Sequence, residues 1–166
     1  MPTKSMILCA ILLLVCFGCT TKESGQLTPQ QIDQIKKEVR ATFDACMARW
    51  QKVDFDGAFK YYSSDFVGYG SDGNRFDANM YKEMAADFFN LATAYKLTIY
   101  RFDILAATEN IGVISIDGKD EIFLKSGDKM TWDPAHYTYG FRKITGQWKI
   151  YYLHSTATPT KKADQK

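Results

Sequence analysis

Residues 94–156 read AYKLTIYRFDILAATENIGVISIDGKDEIFLKSGDKMTWDPAHYTYGFRKITGQWKIYYLHST. β-Branched and aromatic residues crowd into runs at about 94–107, 110–125, 129–144 and 147–156, each long enough for a strand. Between the runs stand Glu109-Asn110, Ser126-Gly127-Asp128 and Thr145-Gly146. A parallel crossover needs a dozen residues or more, so strands joined this tightly pair in sequence order as an antiparallel sheet. The internal Asp117-Gly118 predicts a bulge or bend in the second of them.

Upstream of residue 94 the period is helical. Leu27-Thr28-Pro29-Gln30-Gln31-Ile32 opens a helix: Thr28 suits the cap with Gln31 three residues on, Pro29 the first turn, and Leu27 with Ile32 a staple. Apolar residues then recur at Ile35, Val39, Phe43, Cys46, Trp50 and Val53, one stripe along a helix of about 37 Å. A short helix from Asp54 or Asp56 through Ala58, Phe59 and Tyr62 follows, then a strand at Phe66-Val67-Gly68-Tyr69 and a turn at Ser71-Asp72-Gly73-Asn74. A third helix starts near Asp77, with Phe76 and Tyr81 as its staple, and is expected to bury Met80, Met84, Phe88 and Leu91. Helices followed by such strands predict an α+β fold. A sheet covering so long a helix must curl around it, which leaves a concavity between helices and sheet.

The composition fits one globular domain: 166 residues, 46% hydrophobic, 24% charged, with 14% aromatic residues to supply a core. A formal charge of +2 with no long basic block argues against nucleic acid as a partner. His136 and His154 are the only histidines and Cys46 is the only cysteine outside the leading segment, so no metal site and no cofactor are expected. Cys46 lies on the apolar helix face and reads as a small buried hydrophobe.

The chain begins with a different kind of segment. Lys4 precedes the uncharged run Met6 to Phe17, the pattern of a secretory signal. As a helix that run reaches about 18 Å, too short to span a hydrocarbon core of about 30 Å. Gly18-Cys19 then resembles a bacterial lipobox, although Cys16 occupies the position where such motifs usually carry Leu. The reading is a signal at 1–18, a lipidated Cys19 heading a tether over 19–27, a domain at 28–157 and a disordered tail at 158–166. It places the protein at a bacterial cell envelope, held to the membrane by acyl chains alone.

Two further stretches carry a resemblance: Val53-Asp54-Phe55-Asp56-Gly57-Ala58-Phe59 leading into Tyr62-Ser63-Ser64-Asp65-Phe66-Val67, and the ending Thr145-Gly146-Gln147-Trp148 through His154-Ser155. With the long first helix, they make the chain similar to the nuclear transport factor 2-like superfamily, in its SnoaL-like and calcium/calmodulin-kinase-association-domain-like branches. The most specific element is the Gly, the Trp and the His six residues beyond it, matched by Gly146, Trp148 and His154. The resemblance covers about residues 28–157 and implies a cone-shaped α+β barrel with a pocket at its open end, and homodimers formed through the sheet. It names no single function, because the same cone serves isomerases, cyclases, dehydratases, carriers and assembly domains.

Strand alternation assigns the candidate site. It puts Trp148, Ile150, Tyr152 and His154 on one face of the last strand, and the core-facing Trp148 and Ile150 would carry Tyr152 and His154 inward. Trp50, Tyr69 and Tyr139 join them as candidate ligand-binding residues for a small apolar or aromatic molecule. His154 also reads as a structural histidine, the tyrosines and Trp50 as amphipathic core, and Asp65 as a turn cap. Ketosteroid isomerases of this superfamily carry a catalytic Asp in the strand after the second helix, yet here no carboxylate follows Asp65 before Asp72. That leaves Asp103 with His154 as the acid–base candidates, provided the strands bring them together. A non-catalytic binding or assembly domain is therefore the first reading, and an isomerase, cyclase or dehydratase the alternative.

Overall fold

Thr28 starts the fold as its sequence predicts. In the computed structural model, which describes residues 27–159, its hydroxyl accepts from the Gln31 amide while the Gln31 side chain accepts from the Thr28 amide. The signal run, Cys19, the tether up to residue 26 and the tail from residue 160 lie outside the described residues. Helix α1 spans Pro29–Trp50, about 33 Å, and buries Ile35, Val39, Phe43, Cys46, Met47 and Trp50. Val53, expected in the same helix, instead takes a positive φ of 58° where the chain turns into α2, Phe55–Phe59. Asp54 caps α2 by accepting from the Gly57 amide.

Strand β1, Tyr62–Tyr69, begins earlier than expected because Tyr62 leaves the helix and enters the core. A short β2, Arg75–Asp77, pairs antiparallel with it. Asp77 then caps α3, Ala78–Phe89, through the amides of Asn79 and Met80. The expected face of α3 is wrong by a rotation. Ala85 and Phe89 are buried, whereas Met80, Met84 and, just past the helix, Leu91 are 48%, 54% and 63% exposed. The Phe76–Tyr81 pair fixes this rotation: their rings lie 5.1 Å apart, and Tyr81 stacks on Phe66 at 5.5 Å.

The predicted strand runs appear as β3, Ala92–Ala107, β4, Ile111–Leu124, β5, Lys129–Ile144, and β6, Gln147–Pro159, with β6 continuing three residues past the expected end at 156. They pair antiparallel in sequence order. The whole sheet has the order β2-β1-β6-β5-β4-β3, with β1 lying parallel to β6. That parallel pair breaks the purely antiparallel expectation: β1 and β6 are not consecutive, so no short connection constrains their directions.

The α1 stripe packs into the curved sheet. Phe43 meets Phe102 and Tyr139 at 5.5 and 5.4 Å, and a Cβ on Gly112 would lie 2.7 Å from a Val39 methyl. Near the middle of α1, Glu38 accepts from the Trp148 indole at 2.8 Å and from Lys143 at 2.9 Å, tying the helix to the β5–β6 hairpin. Cys46 is fully buried, and burial pushes its thiol up to about 12. No described helix is long and apolar enough to cross a membrane.

Candidate functional site

The inner face of β4 carries Gly112, Ile114, Ile116, Gly118, Asp120 and Ile122, all buried in strict alternation. Asp120 is the only charge in that row, and it is 6% exposed. The Tyr95 hydroxyl of β3 donates to its Oδ1 at 2.7 Å, and the Tyr137 hydroxyl of β5 donates to its Oδ2. Burial pushes the Asp120 carboxyl up to about 6, with the bond from Tyr95 opposing. Burial first, and then the Asp120 charge, hold the Tyr95 hydroxyl well above the usual tyrosine range.

Asp120 opens on a cavity of about 460 Å³ between α3, the end of α1 and the sheet. Trp50, Tyr81, Phe88, Phe89, Trp132 and Tyr139 supply its aromatic wall, and Gly70, Ser71 and Asp72 belong to its lining. Ring contacts run from Trp132 to Phe88 at 6.0 Å, to Phe89 at 5.3 Å and on to Tyr95 at 6.0 Å, with Tyr137 and Tyr139 at 6.1 Å. The exposed Met84 of α3 also lines the cavity. Asp72 bonds the amide and side chain of Asn74, which hold its carboxyl below the usual range.

Of the residues the sequence singled out, Trp50 and Tyr139 line this cavity and Tyr69, Tyr152 and His154 do not. The reason is a bulge. Opposite Gly140 and Phe141, β6 spends an extra residue at Tyr151, since Gly140 pairs with Tyr152 and Phe141 with Ile150. Trp148 and Ile150 face inward before it, Leu153, Ser155 and Ala157 line the cavity after it, and Tyr152 and His154 turn to the outer face. There Tyr69 and Tyr152 lie 6.2 Å apart beside an exposed His154. Gly140 leaves room for the bulge, because a Cβ there would come within 2.9 Å of the Tyr151 ring.

Asp103 and His154 are not brought together. β4 and β5 lie between their strands, a separation of about 14 Å, and Asp103 instead pairs with Arg101 at 2.5 Å on the outer face. Asp65 is not the expected turn cap, because it lies within β1 and its carboxylate receives the Arg142 guanidinium at 2.5 and 2.6 Å. The sequence reading missed Asp120, Tyr95 and Tyr137 as a group. The signal for Asp120 was a carboxylate in phase with the apolar row Ile114, Ile116 and Ile122. Among the described residues no cluster of three or more potential metal ligands occurs.

A family model for the SnoaL-like domain matches residues 39–159. The chain belongs to the SnoaL-like domain family. Its fold is the cone of the nuclear transport factor 2-like proteins, as in a superfamily member from Salmonella enterica, 13% identical over 81% of this chain and 98% of that one, with a TM-score of 0.65. A protein proposed to be a scytalone dehydratase from Novosphingobium aromaticivorans matches with a TM-score of 0.69 at 9% identity, over 78% of this chain and 88% of that one. The association domain of C. elegans CaMKII matches with a TM-score of 0.61 at 11% identity, over 76% and 98%. No curated protein matches the sequence. At these identities the likeness carries the SnoaL-like fold and no activity.

Proposed function

We propose that this SnoaL-like domain binds a small, largely apolar or aromatic molecule in the cone, with a polar group of that molecule held at Asp120. The observation that carries this reading is a 460 Å³ cavity, walled by aromatic side chains, that holds a buried carboxylate. Isothermal titration of a set of one- and two-ring aromatic compounds tests it. Hits should weaken at least about tenfold in Tyr139→Ala or Trp132→Ala. Hits that bind both variants as well as wild type would remove the cavity from the binding event.

A second reading is acid–base catalysis on the bound molecule, the step an isomerase, cyclase or dehydratase requires. It is favoured by the raised carboxyl of Asp120, poised near 6 between two tyrosine hydroxyls. The protein proposed to be a scytalone dehydratase belongs to the same fold. For such an enzyme Asp120→Asn would abolish turnover while leaving ligand affinity measurable.

Residues 1–26 support a proposed setting for this domain: export, removal of 1–18, lipidation of Cys19 and anchoring at a bacterial cell envelope. Cys19→Ser should move the protein from the membrane fraction to the soluble one. The released protein is proposed to be a homodimer through the outer face of the sheet, where Tyr69, Tyr152 and His154 gather. Sedimentation velocity reads this directly, and a monomer at tens of micromolar would overturn it.

A further inference from the structure

We propose that the cavity is built for an organic cation, a small aromatic or apolar molecule whose protonated amine or quaternary ammonium sits against Asp120. The proposal rests on the binding reading above and names its ligand class.

The first support is the charge inventory of the wall. Among the described residues lining the cavity the charged side chains are Asp72 and Asp120, and neither Lys, Arg nor His is present. Several carboxylates elsewhere in the fold have cations beside them. Glu121, the next residue on β4, is equally buried at 6% and faces the other way, where Lys129 and Lys119 stand 2.9 and 3.3 Å from it. Glu38 has Lys143, Asp65 has Arg142 and Asp54 has Arg49. Asp120 has two neutral phenols. Each carboxylate oxygen retains lone-pair capacity after accepting one hydroxyl, so the site is held in shape but left without a counter-ion.

The second support is the wall itself. The faces of Trp, Tyr and Phe rings carry negative quadrupole potential and attract an ammonium within about 6 Å of the centroid. The linked rings of Trp132, Phe88, Phe89 and Tyr95 run up to the carboxylate, and Tyr137 and Tyr139 continue on its other side. A cation entering here meets ring faces and a carboxylate, whereas an anion meets like charge from Asp72 and Asp120 with nothing to offset it. A neutral alcohol gains the apolar burial and one hydrogen bond only.

Calorimetry on the full chain at pH 7.5 with 4-biphenylmethylamine, 4-biphenylmethanol and biphenyl-4-carboxylate separates these cases. The ammonium should bind about tenfold or more tighter than the alcohol, and the carboxylate weakest. In Asp120→Asn the ammonium should fall to the level of the alcohol, and in Trp132→Leu its advantage over the alcohol should shrink. Circular dichroism reports whether each variant is folded. An alcohol that matches the ammonium in wild type overturns the proposal while leaving the binding reading intact. An ammonium preference that survives in both folded variants also overturns it. Failure of all three compounds to bind overturns both.

Discussion

Asp120 shows how one side chain at an inward strand position sets the character of a site. Its carboxyl is raised to about 6 from an ordinary 3.8 by burial, and that shift has a stability consequence with a definite sign. Below about pH 4 the group is protonated in folded and unfolded chains alike. Between about 4 and 6 the folded chain keeps a proton that the unfolded chain releases, so stability falls as pH rises. Above 6 the whole cost remains, of order 3 kcal/mol. Asp120→Asn removes the ionisation and keeps an acceptor for one tyrosine. The variant should therefore melt above wild type at pH 8, with the gap closing toward pH 4. Thermal unfolding at the two pH values reads the difference, and a gap of the same size at both would contradict the buried charge. Asp120 was legible in principle, because a lone acid in phase with buried Ile residues is a local inconsistency of the kind functional sites leave. Its partners were not, since Tyr95 and Tyr137 reach it through registers on two neighbouring strands.

At the scale of elements, the sequence carried the long helix, the antiparallel strand run and most of their limits, because caps, turn residues and periodicity are local. What it could not carry was the phase of β6. One extra residue at Tyr151 reverses which side chains face the cavity, and no composition signal marks it, since Tyr151 and Tyr152 both suit a strand. The same limit applied to α3, whose rotation follows from where Tyr81 finds Phe66 and Phe76. The contact that joins helix to sheet is testable here. Glu38 is held down at about 2, first by the Trp148 indole N–H, then by Lys143 and Gln34. A carboxyl depressed from 4.5 contributes stability above that pH, and the contribution is lost as pH falls toward 2. Glu38→Ala strands the indole of Trp148 beside Lys143. It should cost about 1–2 kcal/mol near pH 7, kept modest by the partly exposed pair. Denaturant unfolding at pH 7 and pH 3 should show the penalty shrinking at the lower value. A penalty unchanged by acidification would assign Glu38 a purely steric role.

For the whole molecule, the geometry sets the start of the fold apart from the cavity. The chain enters the fold at Leu27 and Thr28, before the first turn of α1, while Met47 and Trp50 of the last turn line the cavity. The helix places about 33 Å between those ends. With Cys19 as the proposed anchor and a tether of residues 19–27 reaching at most about 30 Å, we propose that the N-terminal end of α1 faces the bilayer and the cavity lies at the far end. A ligand would then enter from the aqueous phase rather than from the lipid. Binding should be indifferent to the anchor: the lipidated protein in vesicles and the soluble Cys19→Ser form should bind 4-biphenylmethylamine with affinities within about twofold, a free-energy difference near 0.4 kcal/mol. Calorimetry on both preparations measures it. An affinity that rises tenfold on the membrane would mean that the bilayer delivers the ligand or completes the wall of the cavity, and would place the opening of the cone against the lipid surface.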